Sequence, residues 1–136
     1  MGKDVVEESR RRDIERVLNE LMRRGFRIEA AIVFGSWARS GGGDWSDLDL
    51  LVLTDDVRDT PILERFRLAT DFRVHRIDLF LYTFKELENM ATRGNPLALS
   101  ALTEGIPIVA SQRVEELIQE IRKKFIKREK TWIRQD

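Results

Sequence analysis

Asp47 and Asp49 flank Leu48 at the mouth of an apolar run, Leu50 to Leu53. In extended chain alternate side chains share a face, so both carboxylates point one way while Leu48 and Leu50 point into a core. Like charges placed so repel each other. A hard divalent cation between them removes the repulsion; Mg²⁺ takes oxygen ligands at about 2.1 Å and leaves room for phosphates and water. Upstream, Ala30 to Phe34 is another short apolar run, and it ends in Gly35-Ser36. That reads as a buried strand turning sharply into a helix or loop. Glycine lets backbone approach a ligand, N–H groups at such a turn hold an anion, and the Ser36 hydroxyl adds a hydrogen bond. Gly41-Gly42-Gly43 and Ser46 then lead into the two acids. An anion cradle on one strand and a carboxylate pair on the next suit a metal-bound nucleotide phosphate.

The rest of the chain frames that stretch. Its 136 residues suffice for a single core and leave no room for a separate substrate domain. The expectation is therefore one domain over 1–136, with a core at about 10–110 and a C-terminal helix at 111–130. Charge is balanced, 24 basic against 24 acidic residues, so it argues neither for nor against nucleic acid. With no cysteine, disulfides, zinc–thiolate sites and thiol nucleophiles are excluded together. No signal-peptide pattern opens the chain, and no apolar run approaches the ~20 residues of a membrane span, which points to a cytoplasmic protein without membrane contact.

Residues 4–24 carry a helical stripe of Ile14, Val17, Leu18, Leu21 and Met22, stopped by Gly25. Arg10-Arg11-Arg12 reads first as a solvated face of that helix, second as a contact for an acidic partner or a nucleic-acid backbone. Thr54 to Asp59 is a polar loop. Thr60-Pro61 fits an N-cap with proline at the first helical position, and Leu63, Phe66 and Ala69 or Thr70 give the expected buried stripe. Arg73 to Tyr82 is a third strand, with Ile77, Leu79 and Leu81 alternating against Arg76, Asp78, Phe80 and Tyr82. An acid in such a strand costs energy unless it is paired or metal-bound; the plain alternative for Asp78 is an ion pair with Arg76 or Arg39. Thr83-Phe84-Lys85-Glu86 is a capping box, Asn95-Pro96 opens another short helix, and Ile106 to Val109 is an edge strand because Pro107 cannot donate to a ladder. Ser111 caps a last helix striped by Val114, Leu117, Ile118, Ile121 and Phe125. Helices alternating with short strands define an α/β fold: a short mixed sheet flanked by helices.

Gly35-Ser36-Trp37-Ala38-Arg39, followed after a short loop by Ser46-Asp47-Leu48-Asp49-Leu50, resembles the signature of the DNA polymerase beta-type nucleotidyltransferase superfamily, and within it the small stand-alone minimal nucleotidyltransferases. The chain departs from the pattern at Ser40, where that family carries glycine. The resemblance implies a polymerase beta-like fold. It also implies transfer of a nucleoside monophosphate from an NTP, with ATP as the expected nucleotide, to a hydroxyl acceptor with release of pyrophosphate. Two Mg²⁺ ions, or Mn²⁺ in their place, are implied, with Asp47, Asp49 and Asp78 as catalytic metal ligands and Ile77-Asp78-Leu79 as the context of the third acid. Gly35 and Ser36 are implied as nucleotide ligands. Arg39 is open between a phosphate contact and a bridge to one of the aspartates.

Trp37 reads as surface cover before it reads as a base-stacking platform, and His75, the only histidine, as structural or exposed. With no room for an acceptor-binding domain, a second copy of the chain or a separate protein must present the acceptor. The resemblance offers a helical partner of the HEPN type in a toxin–antitoxin pair, and Trp132 and Ile133 are candidate contacts. A nucleic-acid polymerase is not expected, since no template-binding domain fits. The competing reading is a non-catalytic module that binds a nucleotide or covers a partner, as an antitoxin does.

Overall fold

The computed structural model describes residues 8–40, 47–128 and 131–135. A four-stranded mixed sheet is built from β1 (Ala30–Phe34), β2 (Leu48–Leu53), β3 (Ile77–Tyr82) and β4 (Ile106–Ala110), in the order β3-β2-β1-β4. β1 runs antiparallel to both β2 and β4, and β2 and β3 run parallel. Period-two alternation divides the apolar residues between two faces. Ala31, Val33, Leu48, Leu50, Val52, Ile77, Leu79 and Leu81 face one core layer, while Ala30, Ile32, Phe34, Leu51 and Leu53 face the other.

The first layer is covered by α1 (Glu8–Arg23) through Ile14, Val17, Leu18 and Leu21, and by Trp37 of the short α2 (Ser36–Ser40). Met22 is half exposed, so the expected stripe ends at Leu21. The second layer is covered by α4 (Phe84–Thr92), α5 (Pro96–Leu99) with a π-turn at Ser100–Glu104, and α6 (Gln112–Lys124). Local chemistry sets these ends. Thr83 and Glu86 form a reciprocal capping box, the Asn95 side chain accepts from the Ala98 N–H, and Ser111 accepts from the Val114 N–H. β4 is an edge strand, as Pro107 requires.

Three elements differ from the sequence expectation. α3 (Ile62–Thr70) starts at Ile62 with no side-chain cap, and its buried stripe is Arg65, Leu68 and Ala69 continuing to Phe72. Leu63 and Phe66 are exposed instead. The reason lies on the sheet edge: Arg65 donates to the carbonyls of Leu81, Thr60 and Val57 and pairs with Glu86, and only a guanidinium on that helix face satisfies them all. Residues Arg73–His75 form a 3₁₀ turn, so β3 begins only at Ile77. Finally, α6 ends at Lys124, where Phe125 turns extended (φ −127, ψ 135) and enters a hairpin of β5 (Phe125–Arg128) and β6 (Thr131–Arg134). Phe125 stays buried at the turn, beside the half-buried Trp132, whose indole N–H donates to Thr103 Oγ1 at 3.1 Å. Trp132 is therefore largely an internal contact, and Ile133 remains exposed. Among the described residues no helix is long and apolar enough to cross a membrane.

Candidate active site

The acids gather at one end of the sheet because β2 and β3 run parallel and in register. Leu48 stands opposite Ile77, and Asp49 opposite Asp78. Directly paired residues on neighbouring strands point to the same face, so these two carboxylates lie side by side. On the other flank Phe34 is the register partner of Asp49. The Phe34 and Phe80 rings, 5.5 Å apart and tilted by 59°, form the apolar ground next to the acids. Asp47, immediately before β2, is exposed.

Gly35 closes the corner. It adopts φ 75, and a Cβ there would collide with Asp49 Oδ2. The position needs glycine on both counts: left-handed backbone and a carboxylate pressed against the chain. Ser36 follows as the exposed first residue of α2, and Ala38 N–H returns to the Gly35 carbonyl at 3.1 Å. Arg39 lies on α2 with its side chain outside the described residues, as are residues 41–46 with the glycine run and Ser46. Trp37 is fully buried, not surface cover, and its ring lies under the Arg10 guanidinium at 5.5 Å. A tryptophan so buried has no face free for a base.

Arginines hold the acids. Arg73 Nη1 lies 2.5 Å from Asp78 Oδ1, and Arg73 Nη2 lies 3.8 Å from Asp47 Oδ2. Arg76 Nε is 3.4 Å from Asp47 Oδ1. The partner of Asp78 is thus Arg73, on the turn before its own strand. His75, half-buried on that turn, donates its backbone N–H to the Phe72 carbonyl.

Arg10 fixes the turn from below. It is buried, and donates to the carbonyls of His75 (2.9 Å) and Arg76 (2.7 Å) while pairing with Asp13 at 2.8 Å. The Arg76 carbonyl also accepts from the Leu48 N–H at 3.0 Å, which ties the turn to the start of β2. Arg76 itself sits at φ 57, uncommon for a residue with a Cβ. The basic run at residues 10–12 therefore includes one internal clamp. Nothing in the run distinguishes Arg10 from its neighbours; only the helix stripe does, since Arg10, Ile14, Val17 and Leu21 share a face.

The donor set suits a hard divalent cation in kind: carboxylate oxygens on one face, with a cationic guanidinium already spanning two of the carboxylates. In the arrangement seen, no three acidic or histidine side chains among the described residues are gathered closely enough to grip an ion. A cleft of about 280 Å³ opens beside Asp78, between Phe66 and Thr70 of α3 and Phe80 of β3. The larger cleft, about 620 Å³ around Tyr82, Met90 and Asn95, lies toward the other end of β3 and is lined by none of the acids.

The profile of the polymerase beta nucleotidyltransferase family matches residues 15–114, which carry the Gly-Ser corner and all three acids. The chain belongs to that family. Its mixed sheet flanked by helices is the fold the signature implied, and membership supports transferase chemistry in general terms. Among solved structures the chain is similar to one described as "Crystal structure of the toxin-antitoxin with AMP-PNP", with a TM-score of 0.53 and 18% identity over 78% of this chain and 82% of that one. At that identity the likeness concerns the fold. A sequence search among curated proteins finds no match.

Proposed function

We propose that the chain is a metal-dependent nucleotidyltransferase that moves a nucleoside monophosphate from an NTP, ATP first among them, to a hydroxyl acceptor. The observation that carries this reading is the register of Asp49 with Asp78, side by side on parallel strands, with Gly35 packed against Asp49. Residues 10–110 form the transferase core in this reading, acting in the cytoplasm.

In this reading Asp47, Asp49 and Asp78 would hold Mg²⁺ (two ions, or Mn²⁺ in their place), which would supply charge neutralisation for the transfer when bound. Gly35 and Ser36 offer backbone N–H groups and a hydroxyl to the phosphates at the start of α2, with Arg39 on the same short helix as a further phosphate contact. Asp78 borders the open cleft and takes the proton of the acceptor hydroxyl. The acceptor oxygen then bonds to the α-phosphorus as the bond to the pyrophosphate oxygen breaks. Phe34 and Phe80 limit water on the flank of the acids, which strengthens the local electrostatics.

The similar structure is named as a toxin–antitoxin with AMP-PNP. We extend that pairing to this chain as a proposal: the acceptor is presented by a partner protein, a helical HEPN-type protein, or by a second copy of the chain. Incubation with α-labelled ATP, Mg²⁺ and the product of the adjacent gene tests it. Label on the partner that disappears with Asp49→Asn supports transfer. Tight association without label supports the second reading, a non-catalytic module that covers its partner. That reading draws on the arginine-paired acids and on the exposed Ile62, Leu63 and Phe66 of α3.

A further inference from the structure

Asp47 and Asp78 share one guanidinium, and the backbone puts it there. Arg73 lies on the 3₁₀ turn between α3 and β3. Its Nη1 meets Asp78 Oδ1 at 2.5 Å and its Nη2 approaches Asp47 Oδ2 at 3.8 Å. The turn is held from beneath by Arg10, through the carbonyls of His75 and Arg76, and laterally by the Leu48 N–H. A left-handed Arg76 completes the turn and lends Asp47 a second cationic contact. Guanidinium suits this position because it is planar and always charged, and its five donors can span two carboxylates.

We propose that Arg73 is the resident counter-cation of this acidic edge, and that a divalent metal must displace it from Asp47 and Asp78 to bind. The proposal rests on the reading of these acids as metal ligands. Its physical basis is competition. Carboxylates facing one way need a positive charge, and the same oxygen lone pairs cannot serve a guanidinium and an ion about 2.1 Å away together. The cleft beside Asp78, which Arg73 lines with Phe66, Thr70 and Phe80, gives the released side chain space to occupy. Arg73 is thus a positioning residue: it keeps the acids apart and neutralised before metal arrives, and it tunes how tightly the metal is held.

Two effects of opposite sign follow. Without Arg73 the metal-free protein loses stability, because the acids repel. The same change raises metal affinity, because no internal cation competes. A merely structural arginine would lower stability and leave affinity equal or weaker.

The test uses the full chain and Mn²⁺ as the probe. Binding is followed by electron paramagnetic resonance, and unfolding is measured with and without the ion. Arg73→Gln is expected to bind Mn²⁺ about 3- to 10-fold tighter than wild type, the range set by removing competition from half-exposed ion pairs. It should also unfold at a lower temperature without Mn²⁺ and gain more than wild type when Mn²⁺ is added. Arg73→Lys keeps the charge but loses the fork, so its affinity should fall between the two. Equal or weaker Mn²⁺ binding by Arg73→Gln, while Asp78→Asn still weakens it, overturns the proposal and leaves the metal reading standing. Mn²⁺ binding that ignores both Asp49→Asn and Asp78→Asn, or none at all, sinks the metal reading and the proposal with it. If Arg73→Gln does not fold, Arg73→Lys decides alone: binding no tighter than wild type overturns it.

Discussion

The two ends of the sheet carry the same pairing, arginine against carboxylate, and use it differently. At the end where β2 and β3 finish, Arg65 is 5% exposed and grips Glu86 with both nitrogens, at 2.7 and 3.0 Å, while also serving three backbone carbonyls. Nearby, Arg113 binds Glu29 and, at 3.0 Å, Asp55, with its guanidinium 4.1 Å from the centre of the Phe84 ring. At the end where those strands begin, Arg73 and Arg76 meet Asp47 and Asp78 with side chains 30–60% exposed, and two of the three contacts are 3.4 Å or longer. Arg65, buried and multiply bonded, closes an edge, while Arg113 beside it is half exposed and held by two acids and a ring. Half-exposed guanidiniums that share their acids can be exchanged for another cation.

Hydrogen bonding also moves the titration of the acids beside Arg65 and Arg113. Burial works against ionisation of Glu86, but the Arg65 hydrogen bonds and the Thr83 N–H outweigh it and leave its carboxyl below the ordinary 4.5. The Glu29 carboxyl is likewise held down, mainly by the Arg113 hydrogen bond and against partial burial. Arg113 is correspondingly pushed up by its bond to Glu29.

The largest expected effect belongs to the acidic end. Asp49→Asn or Asp78→Asn should lower nucleotidyl transfer by at least about 100-fold, the scale of losing a key electrostatic group. Both variants should stay folded, because each relieves repulsion between neighbouring acids. A variant that unfolds instead would make this end structural like the other and erase the contrast.

Next comes Arg65→Ala. It strands the carbonyls of Leu81, Val57 and Thr60 and removes the partner of Glu86, so denaturant unfolding should show a loss of about 3 kcal/mol. A cost under ~1 kcal/mol would place Arg65 with ordinary surface ion pairs. Gly35→Ala is smaller in stability, about 1–2 kcal/mol from the left-handed backbone alone. It should still depress transfer, since the added Cβ drives Asp49 aside.

The pH response is the smallest effect and sharpens the comparison furthest. A carboxyl held down on folding contributes stability that is whole above its unfolded value and drains away as pH falls through the folded one. Thermal stability should therefore fall as pH drops below 4.5, the ordinary value of Glu29 and Glu86. Glu86→Gln should flatten that fall, as followed by melting temperature against pH. An unchanged slope in Glu86→Gln would remove the Arg65 pair from the acid response.

The candidate site was legible because its parts are local. A Gly-Ser corner, two acids astride Leu48 and one acid between Ile77 and Leu79 are patterns of a few residues whose meaning comes from strand alternation. Nothing local could say which arginine each acid would meet. Asp78 pairs with Arg73, five residues back, because a 3₁₀ turn folds it over the strand start. The α3 stripe misled for a similar reason. Leu63 and Phe66 are the apolar choice by hydropathy, but the open carbonyls of a sheet edge required a donor, and Arg65 outranked them.

By itself the sequence determined the four strands of the main sheet apart from where β3 begins, their inward and outward faces, the caps at Thr83, Asn95 and Ser111, and the family signature, all of which depend on neighbours within a few residues. Tertiary structure alone decided which charges are internal. Arg10 reaches carbonyls 65 and 66 residues away, and Arg65 meets Glu86 across 21 residues. A charged side chain is buried only where distant chain supplies enough acceptors to replace water, and no short pattern records where that happens.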